Sequence, residues 1–186
     1  MKCFNKYTMR KFIDIVEGSS SHLKYWIALC ESESKPLLYH GTTVSKARSI
    51  IANGVRSRGT TKNTFGKSTS FSDKLIGTRF YDKGAVIAFE FLPDTKLISL
   101  REYQKNGQGD ADAVAGGAEA PYYDREIAVF NPDSIHFIGW YNKLTKAIDP
   151  TEPVYPKGFY HNWNDERNID ENVWEYLTPS AKNSQS

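Results

Sequence analysis

Between residues 68 and 141 the chain offers one strand-like run after another, and this order constrains the fold more than any other feature. The runs are STSFS (68–72), AVIAFEFL (85–92), LISL (97–100), EIAVF (126–130) and SIHFIGWY (134–141). A first strand at 36–40 precedes them and leads into one clear helical pattern at 44–53. There Val44, Ala47, Ile50 and Ile51 form an apolar stripe. Thr42 or Thr43 can cap the start of that helix, and Gly54 stands where a left-handed residue ends one. A short helix carrying Tyr81 fits 73–82. One helix followed mostly by strands predicts an α+β fold with a largely antiparallel sheet, and not an alternating βαβ fold.

The flanks differ in character. Residues 9–17 place Met9, Phe12, Ile13 and Val16 at helical spacing, and residues 22–30 do the same with Leu23, Trp26, Ile27 and Cys30. Residues 1–35 therefore read as an N-terminal helical cap. Residues 55–67 are polar and basic and read as a loop. Residues 101–121 hold four glycines and few large apolar side chains, so they read as one long loop of the kind that carries function or is disordered. The core is thus expected at 36–141, followed by a polar extension at 142–186 with scattered aromatics and a frayed end.

A chain of 186 residues suffices for one domain with a real core. No apolar run reaches the ~18–20 residues that span a bilayer, and the first residues mix charges into apolar positions without a signal-peptide core. Cys3 and Cys30 have no CxxC spacing, which suggests neither a zinc site nor a disulfide framework. The expectation is a cytoplasmic protein of the producing or infected cell, with no membrane partner and no metal. Net charge is +2, but residues 1–100 carry 16 basic against 8 acidic side chains, whereas residues 101–186 carry 8 against 14. The basic half could face phosphates, in a small ligand or in a nucleic acid, or could be a solvated face.

Polar residues at strand ends beside loops are candidates for chemistry. His40 ends the first strand with Gly41 directly behind it. Ser68, Thr69 and Ser70 lie in a short strand after a glycine. Glu126 opens a strand after the small-residue loop, and Asp124, two residues earlier, falls on the same side of an extended segment. Taken alone, His40 could equally be a buried structural histidine.

The succession YHGT, a helix ending in IIANG, FGKSTSFS, VIAFEF and YYDREIAVFNPDSI resembles the ADP-ribosyltransferase superfamily from about Leu37 to about Trp140. The resemblance implies a split, mainly antiparallel sheet and NAD as co-substrate. The bond between ribose and nicotinamide breaks through an oxocarbenium-like state, and ADP-ribose passes to a macromolecular target. It implies that His40 bonds the adenosine ribose, that the backbone of Gly41 grips the nicotinamide amide with room for close approach, and that Thr42 is a supporting hydroxyl. Ser68 and Ser70 match the serine-threonine-serine strand of arginine-first members, which makes this chain a His–Ser–Glu variant. Where histidine-first members stack a tyrosine on nicotinamide, Phe71 is among the residues assigned to NAD, although it would point away from Ser70 in a regular strand, and Phe80 or Tyr81 is the alternative aromatic wall. Glu126 would stabilise the ribose cation, and Asp124 would help to select or activate the nucleophile.

Tyr122, Tyr123 and Asp124 would then recognise the target. Arg56, Arg58 and Lys62, before Arg48 and Lys67, are the candidates for a diphosphate or a nucleic-acid backbone. RNA or DNA is favoured slightly over protein as the target. A toxin or an effector in phage–host conflict fits the resemblance, with an antitoxin as the corresponding partner. A non-catalytic NAD- or nucleic-acid-binding module on the same fold, or an NAD glycohydrolase, are the alternatives.

Overall fold

Alternation of side chains builds the centre of a nine-stranded sheet. The computed structural model describes residues 35–56, 58–59, 65–116 and 126–165. In chain order the elements are β1 (Leu38–Thr43), α1 (Val44–Asn53), β2 (Arg58–Gly59), β3 (Lys67–Ser72), a 3-10 turn (Leu75–Thr78), β4 (Gly84–Phe91), β5 (Leu97–Ser99), α2 (Leu100–Asn106), β6 (Ala113–Ala115), β7 (Glu126–Val129), a second 3-10 turn (Pro132–Ser134), β8 (Ile135–Asn142) and β9 (Ala147–Asp149). The strand order is β5-β6-β7-β3-β1-β4-β8-β9, with β2 attached to β3. Every strand pairing is antiparallel except β5 with β6. The chain is therefore α+β with a mainly antiparallel mixed sheet.

Period-two patterning assigns each strand two faces. On one face Leu38, Phe71, Ile87, Phe89, Ile127 and Trp140 form the main core, closed by Ala47 of α1 with Val44 and Ile50 beside it. Ile51 of the expected stripe is exposed instead, because Ala47 is the residue α1 presses onto the sheet. On the other face Val114, Ala128, Phe130, Phe65 and Leu100 form a second cluster under α2. The aromatic rings Phe71–Phe89 and Phe89–Phe137 meet edge-on along the main core. The start of α1 follows the sequence reading: the Thr43 hydroxyl accepts from the Lys46 amide at 3.3 Å, and Gly54 ends the helix at φ 76°.

Three expectations need correction. The segment 101–121 is not one loop. The Ser99 hydroxyl accepts from the Glu102 amide, while the Glu102 carboxylate accepts from the Ser99 amide at 2.9 Å. This reciprocal pair satisfies two amides at the start of α2 and sets the helix going. Beyond it, Ala113–Ala115 pair with both β5 and β7, so small residues here make a buried strand. The helix at 73–82 is a single 3-10 turn, and Tyr81 lies past its end. The sheet also does not stop at residue 141, because β9 pairs with β8. Gly139 permits that close return: a Cβ there would stand 2.7 Å from the Asp149 carbonyl oxygen. The expected N-terminal helices lie outside the described residues.

Removing the cap hydroxyl with Ser99→Ala should lower stability by about 1 kcal/mol. Urea unfolding monitored by circular dichroism, with Ser99→Thr retaining most of the stability, checks it.

Candidate functional site

The pairing between β1 and β3 is short. β1 pairs with β4 over six residues but with β3 at one position, Tyr39 opposite Ser72. Just past that position the His40 imidazole takes over, with Nδ1 3.0 Å from the Ser70 carbonyl oxygen. A carbonyl only accepts, so Nδ1 carries the hydrogen and a neutral ring leaves Nε2 as an acceptor. Burial is the main reason that His40 titrates below the ordinary histidine range, and the Lys46 charge pushes the same way. The bond to Ser70 opposes them. The Phe71 ring supports the imidazole, with centroids 5.4 Å apart.

Ser70 also reaches the other way. Its hydroxyl donates to Oε1 of Glu126. The registers Ser70 opposite Ala128 and Ser72 opposite Glu126 place both side chains on one face of the β3–β7 pair. By the same alternation His40 lies on the Phe71 face. The imidazole therefore meets the edge of β3 from one side and the carboxylate meets Ser70 from the other. Ser70 holds both, His40 through its backbone and Glu126 through its hydroxyl. Ser70 is exposed and Glu126 half-buried, at the first position of β7.

Gly41 is small for a reason the sequence does not reveal. A Cβ on it would lie 2.7 Å from the Thr78 carbonyl oxygen and 2.8 Å from the Asp82 nitrogen. Close approach of the chain's own backbone is enough to require a glycine here. The turn after the first 3-10 element is thereby laid over β1 and presents Phe80 and Tyr81, 57% and 62% exposed. The Arg79 guanidinium sits over the Phe80 ring, 4.4 Å from its centroid.

The remaining candidates divide. Phe71 is 4% exposed and packed against Phe89, so it backs His40 and does not face a ligand. Thr42 is buried in β1. Ser68 is 3% exposed, with a hydroxyl that has no hydrogen-bond partner among the described residues. Both sit at inward positions of their strands. Arg56 is exposed, and its carbonyl accepts from the Thr69 hydroxyl at 3.3 Å, tying the segment after α1 to β3. Arg58 stands in β2 opposite Ser68.

Arg48 is engaged by Glu152 at 2.7 and 2.8 Å, a bidentate pair that gives it a role other than phosphate binding. Lys67 is exposed. Lys62, Tyr122, Tyr123 and Asp124 lie outside the described residues. Sequence reasoning missed the closeness of Lys46 to His40, which helical geometry from the cap at Thr43 could have suggested. It also missed Lys143 and Asp82, which are 61 residues apart and carry no local signal of their pairing. Among the described residues no group of three or more His, Cys, Asp or Glu could hold a metal ion.

No model of a known protein family matches the sequence, and no curated protein matches it either. The geometry therefore carries the functional reading.

Because the folded-state pKa of His40 is depressed, the unfolded chain binds the extra proton as pH falls below about 6.5. The contribution is fully present above that value and is lost below it, until the folded pKa is passed. The urea midpoint should therefore drop between pH 7.5 and 5.5, and His40→Gln should flatten that drop. Identical pH profiles for the two proteins would contradict the assignment.

Proposed function

We propose that this chain is an NAD-dependent ADP-ribosyltransferase of a His–Ser–Glu type, acting on a macromolecular target. One observation carries the reading: Ser70 joins His40 and Glu126 where β1 and β3 pair at a single position. The three motif residues come from three different strands, and one of the two bonds runs through the backbone. The mainly antiparallel sheet of this α+β fold supports assignment to an ADP-ribosyltransferase-like fold.

NAD supplies a glycosidic bond whose electron pair departs with neutral nicotinamide. The sugar C1′ gains a bond to a nucleophile of the target, and the nucleophile's proton is released. Each residue offers a group of the kind this transfer uses. Glu126, oriented by the Ser70 hydroxyl, would place negative charge beside the developing ribose cation, which is the largest kind of catalytic contribution. Neutral His40 presents Nε2 as an acceptor, suited to a ribose hydroxyl. Phe80 and Tyr81 provide exposed aromatic surface over β1, where a nicotinamide or adenine ring could stack. Phe71 does not fit the stacking role.

The exposed cations Lys46, Arg56, Lys67 and Lys83 favour a polyanionic target, RNA or DNA before protein. Among the described residues no helix is long and apolar enough to cross a membrane, and a cytoplasmic toxin or phage-conflict effector, held by an antitoxin, suits this reading.

Labelled NAD incubated separately with RNA, DNA and protein fractions tests the reading. Label in nucleic acid is the expected result. Nicotinamide release without label transfer would mark a glycohydrolase, and no release with any fraction would mark a binding module. Glu126→Gln should slow transfer by about 10²–10³-fold, the effect of losing a preorganised charge, while the Kd for NAD changes less than about threefold. Ser70→Ala should slow it by about 10- to 100-fold, as expected for losing a hydrogen bond to a charged group.

A further inference from the structure

A second buried cluster lies beside the site and is not used by the reaction proposed above. Lys143, at the turn between β8 and β9, pairs with Asp82 at 2.5 Å, and the two side chains are only 7% and 6% exposed. The other Asp82 oxygen accepts from the Gly84 amide at 3.0 Å. The Tyr155 ring lies 5.8 Å and the Trp163 ring 5.9 Å from the ammonium. The Tyr155 hydroxyl accepts from the Lys143 amide at 3.1 Å and donates to the Tyr141 carbonyl at 3.3 Å. The segment after β9 thus covers an ion pair that water would otherwise weaken.

Asp82 closes the turn that bears Phe80 and Tyr81. The amides of Tyr81 and Asp82 both donate to the Thr78 carbonyl, at 2.9 and 2.8 Å, and the Lys83 amide donates to the Thr42 carbonyl at 3.1 Å. The same backbone presses on Gly41. Fixing the Asp82 carboxylate from below therefore fixes where the two exposed rings stand relative to His40.

We propose that Lys143 is a positioning residue for the nucleotide site: through its buried pair with Asp82, under Tyr155 and Trp163, it holds the Phe80–Tyr81 turn over β1. The inference rests on the reading of the site as an NAD site. It assigns the polar extension a function, since part of that extension is the cover of this pair.

Hydrogen exchange followed by mass spectrometry and NAD titration test it together on the full chain. In Lys143→Met, exchange over 79–84 should quicken by at least about tenfold, while β6 and β7 keep their protection. The KM for NAD should rise about tenfold with kcat within about threefold, and Lys143→Arg should recover most of the loss. In a Phe80→Ala/Tyr81→Ala background, Lys143→Met should add nothing further to KM, because its effect passes through those rings.

Unchanged exchange over 79–84, or full additivity in that background, overturns the inference. If Lys143→Met does not fold, Tyr155→Phe loosens the same cover more gently and must quicken exchange over 79–84 for the inference to stand. Exchange is read without NAD, so the two failures separate. A wild-type protein that neither binds NAD nor releases nicotinamide refutes the nucleotide reading and the purpose given to the turn. Unaltered exchange in a protein that does bind NAD refutes the positioning alone.

Discussion

The bond from the His40 imidazole to the Ser70 carbonyl is the contact on which the rest of the site depends. β1 stays in register with β4 along its length, while on its other side it meets β3 at one pair of residues. A strand edge left open in this way exposes backbone groups that need partners. The His40 side chain supplies one of them, at the Ser70 carbonyl. The short pairing and the histidine thus belong together: the imidazole reaches the β3 edge beyond the one position where the two strands are in register. On the opposite face the same residue of β3 turns its hydroxyl to Glu126, so movement of β3 would shift both side chains at once.

The electrostatics of the two buried centres differ in a way that suits different tasks. His40 is kept neutral chiefly by burial, with Lys46 adding to the effect, and it gains an acceptor nitrogen by losing its charge. Lys143 and Asp82 are buried as a charged pair, where each ion compensates the other and the Gly84 amide takes a remaining carboxylate lone pair. Such a pair adds little net stability compared with apolar packing, but it is costly to break on one side. It therefore enforces one geometry strongly. By contrast, the Arg48–Glu152 pair lies at the surface, where solvent weakens it, and serves mainly to lay the segment after β9 alongside α1.

Local patterning carried much of the fold. The strands at 67–72, 84–91, 126–129 and 135–142 follow from alternation and apolar runs, and α1 follows from its cap at Thr43 and its end at Gly54. The failures have physical causes. Leu100–Asn106 begins with a capping box inside a glycine-rich stretch, and the composition of the whole stretch outweighed a four-residue signal. Ala113–Ala115 is a strand because β5 and β7 enclose it, and that is tertiary context that no propensity records. The exposed position of Ser70 and the core position of Phe71 were both implied by period two. A ligand contact at Phe71 goes against the alternation that the sequence itself displays.

The glycine behind the histidine serves the fold in a way that its place in the sequence does not show. A sequence reader sees Gly41 after His40 and infers space for a ligand. The space is taken by Thr78 and Asp82, whose backbone atoms would lie within 3 Å of any Cβ. What the glycine provides is contact between two parts of the protein: the strand that carries the histidine and the turn that carries the exposed rings. That contact in turn gives Lys143 its leverage, because a carboxylate held beneath the turn acts on β1 only if turn and strand touch. Three features distant in sequence, a histidine-glycine pair, an aromatic turn and a lysine past the last long strand, therefore form one mechanical unit, and the absence of a side chain at residue 41 is what couples them.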